Sequence, residues 1–169
     1  ADRIRHTQWQ ELSDQEKQDY DRHVYFDKNA YIRMFSLLDK LGTLMNDLLE
    51  LKTEKIKSRF SYFTVLRRLR DSGRHPQLTE RLSHLKESSR EPMNRLRIRR
   101  NMEIHYMSAE LQDDLNASAG RSFPDGSGDV LKLENLAANL ADAQAGWKMV
   151  LETLHHVFRF ACGWLRRTA

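Results

Sequence analysis

Apolar residues in this chain recur at intervals of three and four along almost its whole length, and no segment alternates apolar and polar over six or more positions. The first pattern is that of helices with one buried stripe, and the missing second pattern removes half-buried strands. Gly and Pro together number ten in 169 residues, so there is little to interrupt helices. The expectation is an all-α chain: a helical bundle of four to five main helices, one domain over residues 1–169, with a long C-terminal helix. Residues 1–12 are expected to be disordered or tag-derived, and residues 116–129 to form a flexible loop.

Local signals place the elements. Ser13 followed by Glu16 predicts a capped first helix running toward Arg22. Ile32, Phe35, Leu38, Leu41, Met45, Leu48 and Leu49 predict a second, from about Asp27 to Leu51, in which Gly42 marks a close helix contact. Lys52 to Phe63 reads as a connector, and Phe63, Leu66 and Leu69 as a short helix stopped by Asp71-Ser72-Gly73-Arg74-His75-Pro76. Leu78, Leu82 and Leu85 carry the next helix. Pro92 permits another to start, because proline is tolerated in a first turn; Leu96, Met102 or Ile104, Met107 and Leu111 give it an apolar side, ending near Leu115. In the last helix, Leu133, Leu136, Leu140, Ala143, Trp147, Val150, Leu151, Leu154, Val157, Phe158, Ala161 and Leu165 follow one face.

Composition narrows the function classes. No apolar run approaches the ~20 residues that span a bilayer, and Ala1-Asp2-Arg3-Ile4-Arg5 leads into no signal-peptide core, so a cytoplasmic protein without a membrane partner is expected. Cys162 is the only cysteine, which rules out a disulfide within the chain, and its apolar surroundings in sequence predict a buried thiol. Net charge is +4, yet from Arg67 to Arg100 ten Arg and one Lys face four carboxylates, a local +7. Guanidinium forks suit phosphate oxygens, so this segment favours RNA or a nucleotide as partner; a solvated helix face is the plainer reading.

The stretch Asn94 to Tyr106 gathers Arg97, Arg100, Asn101, Glu103, His105 and Tyr106 on one predicted helix. With 19 arginines and seven histidines, an Arg five positions before a His is expected about once by chance, and Arg70 with His75 is such a pair in a predicted turn. Arg100 and His105 differ in lying within a helix, with Asn101 after the arginine and Glu103 between. Arg97, Asn101 and His105 share a helix face, whereas Arg100 points about 140° from His105, so one straight helix does not aim both at one target. A distorted turn or a groove shared by two copies would be needed. The plainer alternative is a surface on which Arg100 pairs with Glu103 and His105 packs partly buried. Metal-ligand spacing is missing: His155 and His156 are adjacent, and Asp113-Asp114 lack partners. Asp125-Gly126-Ser127-Gly128-Asp129 has neither EF-hand alternation nor a P-loop Lys. No metal and no cofactor are expected.

Arg100-Asn101-x-x-x-His105 resembles the Arg-Asn-x-x-x-His signature of HEPN domains, the higher-eukaryote and prokaryote nucleotide-binding superfamily. Ser36 to Leu41, Phe60 to Val65, Leu78 to Arg90 and Pro92 to Leu96 extend the resemblance, over about residues 30 to 115, to a bacterial, Cthe-like branch. The resemblance implies a HEPN-like helical bundle and a homodimer in which two Arg-x4-6-His motifs meet in a cleft. It further implies a metal-independent endoribonuclease, serving as a toxin or defence effector, with an antitoxin partner of unknown identity. Arg100, His105 and Asn101 would be catalytic, and Arg97, Glu103 and Tyr106 would bind substrate. Some HEPN toxins carry a modifiable tyrosine two positions after the histidine; position 107 is Met here and the tyrosine is Tyr106, so that control is not implied. The alternative from another class is a non-catalytic HEPN module that binds a nucleotide, RNA or a protein. The loop Asn116 to Asp129 and the segment Arg67 to Arg74 are the expected routes of substrate approach.

Overall fold

The computed structural model describes residues 9–118 and 133–168, with side chains for 9–106 and 133–166. Residues 1–8 and 119–132 lie outside the described residues, and with them most of the expected 116–129 loop. Five α-helices and two 3-10 turns make up the described residues, among which there is no strand: η1 (Trp9–Glu11), α1 (Asp14–Leu48), η2 (Thr53–Lys55), α2 (Tyr62–Asp71), α3 (Pro76–Ser88), α4 (Arg90–Ser118) and α5 (Leu136–Thr168).

Ser13 opens α1 with a reciprocal cap: its hydroxyl accepts from the Glu16 N–H at 3.3 Å, and its own N–H donates to the Glu16 carboxylate at 3.0 Å. The helix then runs unbroken for 35 residues, which corrects the expectation of two helices parting between Arg22 and Asp27. No Gly or Pro lies between Ser13 and Leu41 to end it. The apparent gap arises because the inward position there is Asp27, a buried carboxylate paired across the bundle. After Leu48, Glu50 and Lys52 take left-handed φ values of 49° and 54° to reverse the chain. Buried Asn46 holds this reversal, accepting from the Thr53 N–H at 2.9 Å and donating to Glu54 at 3.0 Å.

Gly42 is where α1 meets the start of α2. A β-carbon there would stand 2.8 Å from Tyr62 Cα, and the Tyr62 N–H donates to Asp39 at 3.3 Å, so the close helix contact read from the sequence is present. α3 starts at Pro76 after Gly73 and His75, both left-handed. α5 packs on α1, α3 and α4, while α2 packs on α1 and α3. Between them Tyr31, Met34, Leu38, Met45, Val65, Leu69, Leu82, Leu96, Met149, Val150 and Val157 form the core.

The apolar face of α5 differs from the one expected. Met149, Val150, Val157 and Ala161 are buried, but Leu140, Leu151, Phe158 and Leu165 face outward. Two apolar lines about 100° apart run along this helix, and the bundle covers one of them. Cys162 lies on the uncovered side and is exposed, which corrects its expected burial.

Candidate functional site

The motif sits on α4, whose register divides the candidate residues into three groups. Leu96 and Met93 face the core, and Asn101 and His105, with Arg97, fall on the outward file; all three are exposed. Arg97 donates to Asn94 Oδ1 at 2.7 Å. Beside His105, Ile98 and Met102 are 50% and 55% exposed, so the outward face of the motif has apolar neighbours as well as polar groups. Met102 and Ile104, expected on the apolar side, both lie largely outside the core because α4 turns its inner line to Met93, Leu96 and the arginines.

Arg100 forms the second group alone. It lies half-buried with its guanidinium carbon 4.7 Å from the centroid of the Phe35 ring, a cation over an apolar face of α1. Its Nη2 and Nε donate to Asn101 Oδ1 at 2.9 and 3.3 Å. Asn101 therefore orients the arginine rather than the imidazole. No carboxylate among the described residues pairs with Arg100, and no hydrogen bond joins it to His105. The divergence expected of an undistorted helix is the one observed.

Glu103 and Tyr106 make the third group, on the side of α4 that faces the start of α5. Glu103 is paired with Lys28 of α1 at 2.8 Å, not with Arg100. Both residues line a pocket of about 670 Å³ together with Tyr31, Arg99, Met102, Glu134 and Asn139. Arg99 is its centre. It pairs closely with Asp27, reaches Glu134 at 3.5 Å and lies 5.0 Å from the Tyr31 ring centroid. Burial, then the Glu103 carboxylate, pushes the Tyr31 hydroxyl up to about 12, so it remains a donor throughout the neutral range.

Arg99, Asp27 and Glu134 are the residues that sequence reasoning passed over. Arg99 follows Leu96 by three positions and precedes His105 by six, so it stands on the inner side of α4 and also within the Arg-x4-6-His spacing. Its partner Asp27 lies one turn before buried Tyr31 on α1, a carboxylate in an apolar register. That register conflict was the readable signal.

Of the segments expected to guide substrate, Arg67 to Arg74 lies on and just after α2, where Arg68 donates to the Leu51 carbonyl at 3.3 Å and Arg70 stands 3.5 Å from Asp71. The other, from Asn116 onward, enters the undescribed residues. Among the described residues no group of three His, Cys, Asp or Glu is placed to hold a metal ion. No described helix is long and apolar enough to cross a membrane.

The described residues form an all-α bundle in which one long helix, α4, carries both the arginine and the histidine of the motif. The chain belongs to the Cthe2314-like HEPN family, whose model matches residues 1–162. No curated protein and no solved structure matches it.

Proposed function

We propose that the protein is a metal-independent HEPN endoribonuclease whose site is completed when two copies bring Arg100 of one to His105 of the other. The carrying observation is that Arg100, though stacked on Phe35, has its charge matched by no carboxylate among the described residues, and that His105 is not packed away. Arg100 has no carboxylate partner among the described residues, Glu103 being taken by Lys28, and His105 is exposed. Because the two side chains leave α4 in different directions, a single copy cannot place both on one phosphate. The exposed apolar pair Ile98 and Met102 beside His105 supplies a surface on which a second copy can seat.

In that cleft Arg100, a permanent cation fixed by Asn101, binds the scissile phosphate and stabilises the charge that grows on its oxygens. His105 takes the proton of the ribose 2′-hydroxyl as that oxygen attacks phosphorus, or returns a proton to the departing 5′-oxygen. The bond to the 5′-oxygen breaks, leaving a 2′,3′-cyclic phosphate and a free 5′-hydroxyl. Arg97, exposed on the outward file with His105, meets the flanking backbone. A role as toxin or defence effector, held in check by an antitoxin, fits such an activity.

The test is incubation of mixed RNA with the protein in EDTA, alongside Arg100→Ala and His105→Ala. Cleavage by the unaltered protein that disappears in both variants is the expected result. RNA binding without cleavage by any form would favour a non-catalytic binding module instead.

A further inference from the structure

We infer that the pocket between α1, α4 and the start of α5 takes a guanine base. Two of its polar groups point to a ligand. Arg99 Nη1 is buried and has no hydrogen-bond partner, although Nη2 of the same guanidinium is held by Asp27 and Glu134. Glu134 accepts from Asn139 at 2.7 Å and from Arg99 through Oε2, and Oε1 accepts no hydrogen bond among the described residues. Arg99 and Glu134, which carry this orphaned donor and this open carboxylate oxygen, both line one pocket of about 670 Å³, within the ~300–1,000 Å³ of small-molecule sites. A buried guanidinium N–H left unpaired is costly, so a ligand acceptor that satisfies it gains more than the same bond would at the surface.

Guanine meets this pair best. Its O6 and N7 are adjacent acceptors, the usual target of an arginine, and its N1–H and N2–H₂ are adjacent donors suited to a carboxylate. Adenine offers single donors and acceptors side by side and would satisfy each group only in part; uracil and cytosine lack the two adjacent donors. Tyr106, 65% exposed at the rim, provides an aromatic face for a base that is unstacked from its strand. Asp27, with Lys28 against Glu103, balances the cation of Arg99, so the pocket favours a base edge over a bare phosphate. On the ribonuclease reading, on which this consequence rests, the pocket lies on the helix that carries His105 and directs cleavage to positions beside guanosine; base binding itself needs neither Arg100 nor His105.

Calorimetric titration of the full chain with guanosine 3′-monophosphate and adenosine 3′-monophosphate tests this. The guanosine nucleotide is expected to bind at least about tenfold more tightly, and Glu134→Gln to remove that preference. Tyr106→Ala, at an exposed position, is expected to weaken both nucleotides by about tenfold through lost stacking. Arg100→Ala is expected to keep the preference, whereas guanine binding by an unaltered protein that cleaves no RNA would overturn the ribonuclease reading and leave the pocket standing. Equal affinity for the two nucleotides, no binding of either, competition by inorganic phosphate alone at the same concentration, or a preference unchanged in Glu134→Gln would each overturn the inference.

Discussion

The guanidinium of Arg99 closes on the buried carboxylate of Asp27, tying the inner side of α4 to the middle of α1. Asp27 keeps 7% of its side-chain surface and Arg99 20%, so water does little to screen the pair. It sits beside Arg100 in the chain, and so the motif helix is anchored at the residue before its candidate phosphate ligand. A second clamp lies one turn earlier, where Arg95 grips Asp142 of α5 through two bonds of 2.8 and 2.7 Å. Between them the two pairs fix the rotation of α4, and with it the outward direction of His105.

Removing one partner of the Arg99 pair should cost far more than removing both. Arg99→Met leaves the Asp27 carboxylate buried and alone, and is expected to lower the unfolding free energy by about 3–5 kcal/mol. Asp27→Leu combined with Arg99→Met should recover most of that loss, because no uncompensated charge remains. Urea unfolding of the three proteins decides the matter; additive losses in the double variant would show that the pair is not coupled.

The pair also shows what could and could not be read in advance. α2, α3 and α4 follow from periodicity and from Pro76, Pro92 and Gly73, because those signals are local. The continuity of α1 was hidden, since Asp27 interrupts the apolar stripe and its justification lies 72 residues away on α4. Which side of α5 is buried was hidden for a related reason: both of its lines are apolar, and only the positions of α1, α3 and α4 choose between them. At the site, the divergence of Arg100 and His105 follows from helix geometry alone. The pocket around Arg99 does not, because it needs Lys28, Glu134 and Asn139 from two other segments.

Gly42 and Gly163 should respond to alanine with opposite signs. Alanine normally favours a helix interior by up to about 1 kcal/mol over glycine. At Gly163 a β-carbon meets nothing within 4 Å, so Gly163→Ala is expected to be neutral to mildly stabilising. At Gly42 it would stand 2.8 Å from Tyr62 Cα and 3.0 Å from Tyr62 N, backbone atoms that cannot swing aside. Gly42→Ala should therefore cost about 1–3 kcal/mol, by forcing α1 and α2 apart. Thermal melts of both variants provide the comparison, and a stabilised Gly42→Ala would contradict the packing described.

His75 gives the fold a defined acid sensitivity. Burial, then the Arg74 charge, lowers its pKa below the ordinary 6.5, and its ring lies edge-on to Phe160 at 5.0 Å. A base whose folded pKa is depressed contributes full stability above its unfolded pKa, and that contribution is lost as pH falls from about 6.5 through the folded value. His75 also stands at the N-cap of α3 with φ 52° and makes no side-chain cap bond. Asn tolerates that φ and caps well, so His75→Asn should raise stability at neutral pH by about 0.5–1 kcal/mol. It should also flatten the fall in melting temperature between pH 7 and pH 5. An unchanged slope would mean that other groups set the acid limit.

If each cleft draws its arginine from one copy and its histidine from the other, two inactive variants must repair each other. Arg100→Ala and His105→Ala are each expected to lose cleavage entirely. A mixed dimer carries one doubly damaged cleft and one in which the His105→Ala chain supplies Arg100 while the Arg100→Ala chain supplies His105. Random re-pairing makes half of the dimers mixed, so about a quarter of the original activity should return on equilibrating equal amounts. A site built within one chain predicts no recovery, since every chain in the mixture lacks one of its two groups. The observed divergence of the two side chains from α4 favours recovery. Activity measured in EDTA before and after the variants are co-unfolded and refolded distinguishes the two outcomes, with each variant treated alone as its control.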